Sequence, residues 1–117
     1  MLITKIIFCK INMNMYILQK SDKKDKKFMI TTPPDKLTGR TKIIHFGYEP
    51  MSDYTKHHDY DRMKRYETRH KKRENWTKTG IKTAGFWSKW ILWNKPSLIA
   101  SIRDTEKRFN IKIKFNR

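Results

Sequence analysis

The sequence predicts an α+β fold: a small antiparallel β-meander of about three strands, followed by about three helices and a short C-terminal strand. Three observations lead to it. β-branched and aromatic runs separated by turn residues fill the first half of the chain. From about residue 59 the apolar positions recur at helical spacing. At the end, Ile111, Ile113 and Phe115 alternate with Lys112 and Lys114, the period of a strand with one buried face. A chain of 117 residues builds one modest core rather than two, so the expected division is an unassigned segment over 1–13 and a single small basic domain over 14–117.

The elements follow in order. Met15 to Lys20 (MYILQK) and Lys26 to Thr32 (KKFMITT) read as strands, and the charged turn Ser21-Asp22-Lys23-Lys24-Asp25 joins them into a hairpin. Pro33-Pro34-Asp35 breaks the second strand, and Leu37-Thr38-Gly39-Arg40 turns the chain into a third, Thr41 to Phe46 (TKIIHF). Tyr48 to Lys56 reads as a polar loop. A first helix is expected from Asp59 to Arg73, with Tyr60, Met63, Tyr66 and His70 on one side and Asp59 and Asp61 near the positive end of its dipole. Gly80 and the threonines around it mark a linker. Thr83 or Ala84 then opens a second helix, AGFWSKWILWN, apolar on most sides and so expected to lie buried between the sheet and the basic helix. Asn94 as cap and Pro96 in the first turn open the last helix, whose stripe is Leu98, Ile99, Ile102 and Phe109.

Charge narrows the function. The net charge is +17 with a pI near 10.2, which calls for an anionic partner. The excess is concentrated: Arg62 to Lys95 holds 11 Lys or Arg against two acids, Glu67 and Glu74, and so carries +9 of the total. All four tryptophans, Trp76, Trp87, Trp90 and Trp93, lie within that window. Phosphates attract Lys and Arg, and unpaired bases stack on aromatic rings, so the simplest partner is DNA or RNA. Phe86, Trp87, Trp90, Ile91 and Trp93 nevertheless cover too much of one helix to be exposed together and read as core, leaving Trp76 at the junction with a claim to both roles.

The chemistry of an enzyme is thinly represented. His57, His58, Asp59 and His70 are competent metal ligands by type, but adjacent His57 and His58 diverge and no HExxH or CxxC spacing surrounds them. Asp53, Asp59 and Asp61 suggest Mg²⁺ and a nuclease less readily than they suggest a cap that complements a helix dipole. No GxxxxGK or GxGxxG loop is present to cradle phosphate. The expectation is therefore no catalysis, no cofactor and no metal. The single Cys9 rules out an intrachain disulfide. Met1 to Phe8 (MLITKIIF) is too short for a secretory leader, no run is long enough to span a membrane, and the methionines Met13 and Met15 offer alternative starts.

Several blocks then form a pattern: His45-Phe46-Gly47, Asp53-Tyr54-Thr55, RYETRHKKRENW from Arg65 to Trp76, and TAGFWSKWILWNKPSLIASIRDTEKRF from Thr83 to Phe109. Over about residues 41 to 109 the chain resembles a family of small basic proteins of unknown function, encoded by giant nucleo-cytoplasmic DNA viruses and some large phages. The resemblance implies a viral setting, in the virion or the infected host-cell cytoplasm, and no catalytic residues. The residues expected to meet nucleic acid are Arg62, Lys64, Arg65, Arg69, Lys71, Lys72, Arg73, Trp76 and Lys78. The alternative is a virion structural protein whose basic face docks on an acidic protein or an anionic membrane leaflet.

Overall fold

The computed structural model describes residues 15–117; the segment 1–13, Cys9 and the alternative start at Met13 lie outside the described residues. Strands β1 (Met15–Lys20), β2 (Lys26–Thr31) and β3 (Ile43–Tyr48) form the expected antiparallel meander. The last strand, β4 (Lys112–Asn116), lies beside β1 and runs parallel to it, giving the sheet order β3-β2-β1-β4.

Register places apolar side chains together on one face. Leu18 pairs with Ile30 and Ile30 with Ile44, while Phe28 pairs with Phe46. On the other side of β1, Ile113 pairs with Tyr16 and Phe115 with Leu18. Because side chains alternate along a strand, these residues form a continuous apolar face. Leu18, Ile30 and Phe46 are wholly or almost wholly buried under the helices.

Two stretches depart from the expected helices. Instead of a loop reaching to Lys56, the chain makes a one-turn helix, α1 (Tyr54–His57). Asp53 opens it: its carboxylate accepts from the Thr55 amide and the Thr55 hydroxyl, and its other oxygen is bound by Lys27. The basic helix α2 (Tyr60–His70) stops three residues short of Arg73. Lys71 to Arg73 leave it as a turn, because beyond them Asn75 accepts from the Thr77 amide at 3.0 Å and Trp76 packs against the core. A 3₁₀ turn at Lys78–Gly80 follows.

The tryptophan segment opens as α3 (Ala84–Trp87), capped by Thr83, and continues as a π turn over Ser88–Leu92. The Trp93 amide is shared between the carbonyls of Ser88 at 3.2 Å and Lys89 at 3.3 Å. Phe86, Trp87, Ile91, Leu92 and Trp93 are all buried, as a segment apolar on most sides requires, whereas Trp90, expected in the core with them, is only half-buried and packs against its edge. Three indole N–H groups find carbonyl or carboxylate partners: Trp87 on Ile81, Trp90 on Trp76, and Trp76 on Glu74.

The last helix, α4 (Leu98–Phe109), is capped by Ser97 rather than Asn94, and Pro96 stands outside its first turn. A hydroxyl reaches the Ala100 amide from Ser97 at 3.3 Å, whereas the Asn94 amide is spent on Asp104 at 2.8 Å. Asn110 then adopts the left-handed conformation that ends the helix and turns the chain into β4.

Gly47 is the tightest point between sheet and helices. Its φ is +80°, and a Cβ there would stand 2.8 Å from Leu92 Cδ1 and 3.0 Å from Lys27 Cβ. Gly47→Ala combines backbone strain with overpacking and is expected to cost about 2 kcal/mol or more. A guanidinium unfolding midpoint equal to that of the parent chain would show that the sheet adapts there.

Candidate nucleic-acid interface

Helix α2 divides its residues sharply. Met63 and Tyr66 are buried, whereas Lys64, Arg65 and Arg69 are exposed, and Lys71, Lys72 and Arg73 continue the exposed cations into the following turn. Asp59 holds the N-terminus by accepting from the Arg62 amide at 3.1 Å, and that bond keeps its carboxyl below the usual carboxylate range. Tyr66 anchors the other side. Its ring lies parallel to that of Trp93, with centroids 4.4 Å apart and planes 2° apart, and His70 stacks on it at 4.2 Å. Burial pushes the Tyr66 phenol far above its ordinary range, so it stays a neutral wall at any working pH.

The acids within the basic run are turned inward. Glu67 meets Lys64 at 3.4 Å and Lys89 at 3.7 Å. Glu74 accepts from Trp76 Nε1 at 3.0 Å and lies 3.2 Å from His70 Nδ1. Among the described residues, Arg65, Arg69, Lys71, Lys72 and Arg73 have no carboxylate within ion-pair distance and project to solvent.

The other expected contact residues are placed differently. Lys78 is exposed in the 3₁₀ turn. Arg62 is half-buried. Trp76 is also half-buried, its N–H held by Glu74 and its ring 5.5 Å from Lys89 Nζ, so it ties the end of the basic run to the core. Lys89 itself is buried, sits 5.1 Å from the Trp90 ring, and donates to the Trp93 carbonyl at 3.2 Å. Desolvation lowers its pKa against the pull of Glu67.

Beside α2 the fold makes a cleft of about 400 Å³, which sequence reasoning missed because its walls come from distant segments. Arg62 and Arg69 are seven residues apart, hence two turns apart on one edge of the helix. Both line the cleft, together with Lys26 and Lys27 of β2, Tyr48 at the end of β3, Met51 beyond it, and Ser88 of the π turn. Two carboxylates, Asp53 and Glu74, also face it. The only sequence signals were Gly47 and the Asp53-Tyr54-Thr55 cap.

The histidines and acids considered for metal binding are engaged locally. His57 Nδ1 accepts from the Asp59 amide at 2.8 Å, and His58 Nε2 lies 3.0 Å from the Thr55 carbonyl. Among the described residues, no three His, Cys, Asp or Glu side chains gather around a common point. No helix among the described residues is long and apolar enough to cross a membrane.

Residues 16–70, just under half of the chain, match a family of unknown function, DUF5754. The match takes in the meander, α1 and α2, and stops where the Lys71 to Arg73 turn begins. No curated protein and no solved structure matches the chain.

Two outcomes test this site. Lys27 and Asp53 are buried together, so Lys27→Met strands a carboxylate and is expected to cost about 3–5 kcal/mol in unfolding free energy. A loss below about 1 kcal/mol in a urea titration would show that Asp53 is held by its cap alone. The second outcome is pH dependence at His57, which packs against Trp93 with ring centroids 5.4 Å apart and has no partner for Nε2 among the described residues. Desolvation first, then Arg62, holds its pKa below the ordinary 6.5, while Asp59 and Asp53 pull the other way. The unfolded chain therefore takes up a proton that the folded chain resists. This contribution to stability is present above 6.5 and disappears as the pH falls through the depressed folded value. His57→Gln should lose less melting temperature than the parent between neutral pH and about pH 5; equal losses would remove His57 as the cause.

Proposed function

We propose that this chain is a non-sequence-specific nucleic-acid-binding protein whose contact surface is α2 and the turn after it. The observation that carries this reading is the set of exposed cations, Arg65 on a helix anchored by Met63 and Tyr66 and Lys71, Lys72 and Arg73 in the turn after it, none of them paired with a carboxylate among the described residues. On an ordinary surface such a run is expected to be laced with acids. Here Glu67 is shared between Lys64 and the buried Lys89, and Glu74 is held by His70 and Trp76, which leaves Arg65, Lys71, Lys72 and Arg73 facing outward.

The chemistry favours backbone contact over base reading. Arg and Lys meet phosphates without reference to sequence and read a guanine edge only where a fixed, bidentate geometry holds them, as Asn and Gln read adenine; among the described residues no side-chain hydrogen bond fixes Arg65, Lys71, Lys72 or Arg73 in such a geometry. Helix α2 has neither amide residue, and Asn75 just beyond it is committed to Thr77 and Thr79. A polyanion threaded along α2 would meet Arg65 and Arg69 first and then the Lys71 to Arg73 turn. The viral setting suggested by the 41–109 resemblance gives such a protein a genome to coat.

The test is a salt series on duplex DNA of unrelated sequences. Replacing Arg65, Lys72 and Arg73 together by Gln should weaken binding evenly across sequences and flatten the log–log salt slope by about 3 units. An unchanged slope would move the contact surface elsewhere. Binding that survives nuclease treatment in a pull-down from infected cells would instead favour an acidic protein or anionic membrane as the partner.

A further inference from the structure

The cleft beside α2 differs in kind from the convex surface of the helix. It is concave, about 400 Å³ in volume, and therefore within the size range of small-ligand pockets. Four cations line it against two carboxylates. Asp53 is bound by Lys27 and Thr55, and Glu74 is hydrogen-bonded by Trp76 and sits beside His70. Lys26, Arg62 and Arg69 are left without an anionic partner among the described residues. Arg62 is half-buried, where an unpaired guanidinium favours a site that receives an anion.

Two apolar side chains of the lining are open to solvent. Tyr48 and Met51 line the cleft while keeping 55% and 54% of their surface exposed. A ring and a thioether are thus available both to the cleft and to solvent. Cations placed with an exposed aromatic ring match a phosphate joined to a flat base. The inner wall is rigid, because Tyr66 and Trp93 are stacked in parallel, so little ordering is needed when a ligand enters.

We propose that this cleft holds one nucleoside monophosphate unit, with its phosphate on Arg62, Arg69 and Lys26 and its base against Tyr48 and Met51. The unit is either a free nucleotide or an unpaired residue at the end of a strand. In its strand form the proposal rests on the nucleic-acid reading above. A paired and stacked base inside a duplex does not fit so small a concavity, so single strands and frayed ends engage the cleft while intact duplex meets only the outer face.

Titration calorimetry on the full chain separates the sources. Thymidine 5′-monophosphate should bind about tenfold or more tightly than either thymidine or inorganic phosphate. Arg62→Gln with Arg69→Gln should weaken it by at least about tenfold, and Tyr48→Ala by a similar factor, in variants whose melting temperatures match the parent. A single-stranded thymidine oligomer should compete with the monophosphate, whereas blunt duplex of equal length should compete poorly. Duplex binding with no monophosphate binding overturns the cleft and leaves the interface standing. Monophosphate binding by a chain that ignores duplex DNA upholds the cleft and overturns the interface. Inorganic phosphate bound as tightly as the monophosphate overturns the base-recognising part and with it the proposal.

Discussion

The parallel stack of Tyr66 on Trp93 is the contact on which the charged half of this molecule depends. Helix α2 buries little else, only Met63 beside Tyr66, and its four cations, Arg62, Lys64, Arg65 and Arg69, cannot hold a helix in place by their own interactions. The stack fixes the rotation of α2, and rotation decides which residues see solvent and which see the cleft. Arg65 turns outward, while Arg62 and Arg69, on one edge of the helix, line the cleft, Arg69 still open to solvent. His70 extends the stack and Glu74 closes it through Trp76, so the aromatic anchor also removes a carboxylate from the basic face.

A second constraint sits on the sheet side. Lys27 and Asp53 are both buried, and their pairing joins β2 to the start of α1. Next to them Gly47 lets the backbone of β3 approach Leu92 and the stem of Lys27. These contacts bring the end of the meander against the tryptophan segment and form the wall of the cleft opposite α2. The chemistry of the pair is structural, since the cap and the lysine occupy the carboxylate.

Much of the architecture was legible in the chain. The three meander strands follow from their β-branched runs and the turns between them, and the terminal strand follows from its alternation of isoleucine and lysine. The burial of Phe86, Trp87, Ile91 and Trp93 follows from a segment with no polar face. The departures have local causes. The helix start at Asp53 was hidden in a polar stretch because one turn is too short to show a period. The end of α2 was overrun because lysine and arginine are good helix formers, and propensity gives no sign that Asn75 and Trp76 pull the backbone away. At α4 the expected cap, Asn94, lies three residues too early: its amide is spent on Asp104, and the Ser97 hydroxyl caps the helix instead.

Composition and local pattern alone determined that this protein carries a dense positive charge on a helix, next to an aromatic core, within a small α+β domain. Those properties depend on residues close in sequence, whose periodicity and charge need no partner to be read. Tertiary structure alone decided which cations stay unpaired, that Trp76 serves as an anchor, that β4 joins the sheet parallel to β1, and that Arg62 and Arg69 share a cleft with Lys26, Tyr48 and Met51. Each of these requires side chains distant in the chain to meet, and such meetings are set by packing rather than by spacing.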